Sequence, residues 1–353
     1  GRVRLSAQLG FVNHDEKTAS PGIAPGVRDG VPPNRSESEL ERFSAALSAT
    51  AQLSASADAV VGVDYEDESG SLDGTLELAP GFALPTDFNL DRHILGLFVE
   101  LRAAPTDALA LSASVRHDDP SSNDSETTGR LGAQVQVGAT RLFASWSEGF
   151  KLPSFFALGH ALVGNPDLKP EKSTSWEAGL SQSALDDRVN LTAALFRAEY
   201  EDLIDFDFDL FTNVNRSQVD TQGFEVALGL RPLDVLRLDA HLTYVDIDVK
   251  DSATTLRQRP DWRGGISAVW DLAPTVALTA DWLYVDDSFD SSVPTGNATL
   301  DGYNRVDLSI SWKPTETLRL WAAVDNLFDE DYEEAIGFPA LGSRWRAGIR
   351  WSL

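Results

Sequence analysis

The sequence of 353 residues contains no cysteine and no methionine. Without cysteine there is no disulfide framework, no thiolate metal cluster and no thiol nucleophile. Basic residues are scarce as well: 29 stand against 55 acidic ones, a formal net charge of −26. A nucleic-acid partner would need a basic stripe, so none is expected. No run of eighteen apolar residues occurs, which excludes a helical membrane span. A transmembrane β-barrel stays open, because its strands carry only alternating hydrophobicity. The opening "GRVRLSAQLG" has no signal-peptide pattern and no initial methionine. The chain is therefore expected to begin inside a longer or processed precursor.

What the sequence has is a period of two. Val3, Leu5, Ala7, Leu9 and Phe11 form one face, while Arg4, Ser6, Gln8 and Gly10 form the other. The pattern returns at Phe43 to Leu53, at Leu236 to Tyr244 and from Trp345 to the end of the chain. It predicts about sixteen strands of roughly ten residues, the length a tilted membrane-spanning strand needs. Nothing sustains a helical period. The fold expected is all-β, a single transmembrane antiparallel β-barrel over residues 1–353.

The connections support this. Short proline turns such as "APTD" (104–107), "RPLD" (231–234) and "KPTE" (313–316) alternate with long connections at 14–39, 68–90, 149–172, 288–301 and 328–342. Short turns on one side and long loops on the other are the outer-membrane arrangement, with both termini periplasmic. Charged residues opposite each apolar face would line a wet lumen. Trp262 and Trp270 sit on one apolar face about 26 Å apart along the strand, a separation suited to two aromatic girdles. The expected location is the bacterial outer membrane, with lipid and lipopolysaccharide as partners.

Four stretches carry a family resemblance: "ASWSEGFKLPS" (144–154) followed by "GNPDLKPEKSTSWEAGL" (164–180), "LFRAEYEDLI" (195–204), "NVNRSQVDTQGFEVAL" (213–228), and "VDNLFDEDYEEAIGFPALGSRWRAGIRWSL" (324–353). In order and spacing they resemble the barrel of TonB-dependent receptors. The resemblance implies a plugged 22-stranded barrel that imports a ferric siderophore, cobalamin or similar scarce nutrient with energy from the TonB complex. About sixteen strands and no plug-like stretch are found here. Two explanations stay open: a carboxyl-terminal portion of a plugged barrel, or a true sixteen-stranded relative. The carboxyl-terminal alternation closing on Leu353 also resembles the signal for barrel insertion, although the family more often ends in phenylalanine or tryptophan.

Two alternatives accompany the transporter. A passive sixteen-stranded porin suits the strand number, with Arg344, Arg346 and Arg350 as lumenal charges. A haem receptor would use His160, placed between "FKLP" and "NPDL", because haem receptors of the family carry a ligating histidine between similar motifs. An enzyme is not expected, since the five histidines lie in no nucleophile context. Candidate substrate contacts are Phe155, Phe156, His160 and Phe289 in the expected outer loops. No cofactor is required. Calcium is a candidate for loop carboxylates at Asp118, Asp119 and Asp124, and for "DFDFD" at 205–209, though neither has EF-hand spacing. Gly223 within an alternating strand suggests a bulge or a close backbone approach, and Asp325 to Leu327 suggest a strand end.

Overall fold

The alternation along the sequence becomes strand after strand. A computed structural model describes residues 3–207, 210–250 and 255–352. The first half holds β1 (Val3–Ser20), β2 (Asn34–Ser54), β3 (Ala57–Ala79), β4 (Phe82–Pro85), β5 (Phe88–Thr106), β6 (Leu109–Pro120), β7 (Glu126–Val137) and β8 (Thr140–Lys151). A short helix, α1 (Phe155–Gly159), precedes β9 (Glu171–Ala184), β10 (Val189–Asp207), β11 (Thr212–Leu233) and β12 (Leu236–Val249). The remainder is β13 (Trp262–Ala273), β14 (Val276–Val285), β15 (Ser288–Ser292), β16 (Gly296–Leu300), β17 (Tyr303–Thr315), β18 (Leu318–Asp325) and β19 (Arg344–Trp351).

Three of these stand outside the wall. β4 folds back on the end of β3, and β15 and β16 form a separate hairpin. The other sixteen pair antiparallel, each with its next neighbour in the chain, as the period predicts. β1 pairs with β2 and β19 with β18; among the described residues no ladder joins β1 to β19. Among the described residues the wall is thus one continuous antiparallel sheet running from β1 to β19.

Side chains sort by face. On β5, Leu95, Leu97, Val99 and Leu101 are 43 to 51% exposed, while Arg92, Phe98 and Glu100 alternate with them on the inner face. Repeated from strand to strand, such an apolar surface is stable only against lipid. Trp262 lies against Tyr244 and Phe224, with ring centroids 4.6 and 5.7 Å away, at the long-loop end. Trp270 and Trp312 are exposed at the short-turn end. The inner face is wired by ion pairs, among them Arg116 with Asp64 and Asp118, Arg305 with Asp307 at 3.2 Å, and Arg346 with Asp325 at 2.5 Å. Gly223 is a close approach rather than a bulge: register is continuous through it, and a Cβ there would stand 2.0 Å from the Tyr244 carbonyl oxygen.

Two expectations need correction. The connections at 14–39 and 68–90 are largely strand: β1 and β2 pair without a break as far as Ser20 and Asn34, and β3 reaches Ala79. Their outer portions are polar on both faces, so hydrophobic period is silent there while the backbone ladder continues. The strand end expected at Asp325 to Leu327 is present: β18 stops at Asp325, and Asn326 takes a left-handed conformation (φ 51°). Leu353 lies outside the described residues.

Candidate functional site

The long-loop end closes over the inner face, and the 152–170 connection does most of this. Ser154 caps α1, its Oγ accepting from the Ala157 N–H at 3.1 Å. The two phenylalanines that follow point apart. Phe155 is 8% exposed and lies on Gly70 of β3, where a Cβ would stand 2.3 Å from its ring. The Arg92 guanidinium lies over its ring at 4.7 Å and donates to the Pro153 carbonyl at 2.7 Å. Arg92 in turn pairs with Glu68 at 2.5 Å, a buried carboxylate that also accepts from Arg42 at 2.6 Å. Two guanidiniums satisfy that buried charge and fix the platform under α1.

Phe156 is 48% exposed, with the His160 ring 4.7 Å from its own. After α1 the chain wraps the imidazole: the N–H groups of Leu162 and Val163 both donate to His160 Nδ1, at 3.3 and 3.4 Å. Burial pushes the His160 pKa down. The turn is then sewn to β11. Asn165 Nδ2 donates to the Asn213 carbonyl at 3.0 Å, Asn213 Nδ2 to the Val163 carbonyl at 2.8 Å, and the Lys169 N–H to Asn215 Oδ1 at 3.0 Å. The "NPDLK" and "NVN" motifs, far apart in sequence, are one structural joint.

A second piece comes from the β1–β2 connection. Its tip crosses to the β15–β16 hairpin, with the N–H groups of Val27 and Arg28 donating to the carbonyls of Pro294 and Val293 at 3.0 and 3.1 Å. Arg28 also donates to Ser291 Oγ at 2.6 Å and to Asn297 Oδ1 at 2.8 Å. Gly26 sits so close under Pro294 that a Cβ would stand 2.2 Å from its carbonyl oxygen. The hairpin is itself held by Asp290, which accepts from the N–H groups of Ser291 and Ile336 at 2.8 and 2.9 Å. Burial would raise its pKa, but those N–H groups, Gln258 and Arg257 hold it below the ordinary carboxylate range.

Between these pieces lies a cavity of about 1090 Å³. Its lining includes the aromatic side chains of Phe156, His160, Phe206 and Phe211 together with the charged Glu16, Arg28, Asp29 and Arg35. Aromatic surface combined with polar and charged groups in one hollow can hold a bulky small molecule and orient it. A smaller hollow around Leu101, Leu111, Leu131 and Trp146 lies on the apolar outer face and belongs to the lipid surface.

The structure therefore separates the expected site residues. Phe156 and His160 meet in the cavity. Phe155 is the anchor of α1 and does not line it, and Phe289 lies in β15, outside the lining, with its carbonyl accepting from Gln258. Asp118 is buried and held by Arg116, Asp119 faces away on the exposed side of β6, and Asp124 is an exposed loop residue. The three do not converge. Of the "DFDFD" stretch, Asp205 and Asp207 pair with Arg216 at 3.4 and 3.3 Å, while 208 and 209 lie outside the described residues. No set of three histidine, aspartate or glutamate side chains positioned for a metal occurs among the described residues. Sequence reasoning missed the Gly26–Arg28 roof, whose signal was the dense proline and glycine of "SPGIAPGVRDGVPP".

Comparison with known proteins places these features in a family. Residues 2–327 match the family described as TonB dependent receptor-like, beta-barrel. The vitamin B12 transporter BtuB of Vibrio vulnificus is 29% identical over 301 residues, which are 82% of this chain and 46% of the relative. The chain thus spans about half the length of the curated relatives it matches. Among solved structures, the copper transporter OprC superposes with a TM-score of 0.77 at 18% identity, covering 98% of this chain and 62% of the other. The ferripyoverdine receptor of the outer membrane of Pseudomonas aeruginosa, bound to ferripyoverdine, superposes with a TM-score of 0.78 at 16% identity, covering 98% and 54%. At such identities these structures speak for the fold.

Proposed function

The chain belongs to the TonB-dependent receptor β-barrel family of the bacterial outer membrane, and from that premise we propose that it forms the barrel wall of a receptor that takes up a scarce, bulky nutrient, a corrinoid or a ferric chelate. The observation that carries this reading is the cavity under the outer loops. At about 1090 Å³ it is at the upper end of small-molecule sites, which suits a cargo too large for a diffusion pore. Phe156 supplies an aromatic surface and His160 a polar contact. A ligand held there would sit above the ion-paired inner face, on the route through the wall.

For the whole protein, a plug and a contact with TonB are proposed from family membership. The proposed activity is binding and passage, without a chemical step on the cargo. A closed sixteen-stranded porin is not favoured, because that barrel requires a β1–β19 ladder and none occurs among the described residues. The test is uptake of labelled cyanocobalamin and of a ferric siderophore by cells carrying the full-length receptor, with and without TonB. TonB-dependent accumulation of either is expected. Equal flux without TonB would reject the transporter reading in favour of passive diffusion.

A further inference from the structure

His160 is set up for one role and against another. A backbone N–H can only donate, so a ring nitrogen that receives two of them must be the unprotonated one. In His160 that nitrogen is Nδ1, facing the N–H groups of Leu162 and Val163. The neutral ring therefore carries its proton on Nε2. A metal-ligating histidine has the opposite arrangement: one nitrogen gives its lone pair to the metal while the other donates its N–H to an acceptor. To ligate through Nε2, His160 would have to move its proton to Nδ1. It would then lose both hydrogen bonds and aim an N–H at two other N–H groups.

The turn that imposes this is itself fixed. The Gly164 N–H donates to the His160 carbonyl at 2.7 Å, the Asn165 N–H to the Ala157 carbonyl at 2.8 Å, and Asn213 ties Val163 to β11. The fixed turn holds the Leu162 and Val163 N–H groups at Nδ1, so the ring leaves them only by giving up both hydrogen bonds. It lies beside Phe156 at the cavity lining.

We infer that His160 serves the cavity as a fixed Nε2–H donor to an amide or other carbonyl oxygen of a ligand whose flat or apolar face rests on Phe156, and that it is not a ligand to haem iron or another metal. The inference rests on the proposed reading of the cavity as the ligand site. It favours ligands that present such oxygens around a bulky body, as a corrinoid fringed with carboxamides or a hydroxamate chelate does, whereas ligation of haem iron by His160 would require the excluded tautomer. It also separates this histidine from one acting by charge, since both nitrogens must keep their present roles while the ligand is bound.

Three measurements on the full-length receptor test it, the first needing no ligand. With ring-¹⁵N-labelled histidine, and the His160 signals assigned by their loss in His160→Gln, the Nε2–H tautomer is expected between about pH 6 and 8. An Nδ1–H tautomer overturns the proposal. With haemin as probe, the absorption spectrum is expected to be the same for the protein and for His160→Ala; loss of a six-coordinate spectrum in the variant overturns it. With cyanocobalamin, His160→Ala is expected to weaken binding about fivefold to tenfold, the worth of one neutral hydrogen bond, and His160→Gln, which keeps a donor, to weaken it less. Equal weakening overturns the donor role. Should the unmodified receptor bind no cyanocobalamin, the corrinoid branch of the proposed function fails on its own, and the tautomer still decides the assignment of His160.

Discussion

Phe155 and Phe156 are adjacent, chemically identical and assigned opposite work, so replacing each in turn separates anchor from ligand surface. Phe155→Ala removes a side chain that is 8% exposed and packs against both Gly70 and the Arg92 guanidinium. A buried Phe→Ala change costs about 3 to 5 kcal/mol, and the lost cation–π contact is part of that. The loss falls on docking of the 152–170 connection rather than on the wall, whose ladders do not involve it. Local opening should therefore become easier by about a hundredfold to a few thousandfold, at about 1.4 kcal/mol per factor of ten. Phe156→Ala removes a ring already 48% exposed and should change opening by only a few fold, about 1 kcal/mol or less. Amide hydrogen exchange of a peptide spanning 152–170 in the full-length receptor measures both, with a β5 peptide as internal reference. The reasoning is refuted if Phe155→Ala leaves that exchange unchanged, or if Phe156→Ala accelerates it equally. Ligand binding should follow the reverse order of directness: lost with Phe156→Ala although the loop stays docked, and lost with Phe155→Ala because it does not.

Gly26→Val should lift the roof, since its Cβ would stand 2.2 Å from the Pro294 carbonyl oxygen; thiol labelling of a cysteine introduced at Val163 should speed up, and unchanged labelling would count against a seated roof. Gly223→Ala should lower the folded fraction seen as heat-modifiable migration on SDS gels, because the Tyr244 carbonyl oxygen is only 2.0 Å from the new methyl; Gly229→Ala, whose nearest neighbour is 3.5 Å away, should fold normally. Burial depresses the His160 pKa from 6.5, so the opened loop binds more protons than the docked one in acid. Docking is then unaffected above about pH 6.5 and weakens below it. Exchange at Leu162 and Val163, corrected for intrinsic rates, should rise on acidification to about pH 5 and lose that dependence in His160→Gln. Asp290→Ala should free the N–H groups of Ser291 and Ile336 and loosen the β15–β16 hairpin by about 1 to 3 kcal/mol, measured as faster exchange there.

The two-residue period determined the sixteen wall strands, their antiparallel order, and which face meets lipid, because in a barrel each strand must satisfy both surroundings by itself. The stretches "APTD", "RPLD" and "KPTE" marked the short side, although their prolines lie at register shifts just before the two-residue turns, where a missing N–H interrupts no regular ladder. The motifs around "NPDLK" and "NVN" carried the family. Their meaning as a joint was not legible, because the hydrogen bonds of Asn165 with Asn213 and of Lys169 with Asn215 exist only once β9, β10 and β11 have brought distant segments together. For the same reason sequence could propose Phe155, Phe156, His160 and Phe289 together but could not sort them. Which phenylalanine is buried depends on Gly70 and Arg92 from other strands, and which nitrogen of His160 is protonated depends on the turn that follows it. Composition and period decide what each residue can do; only the tertiary structure, by choosing its neighbours, decides what it does.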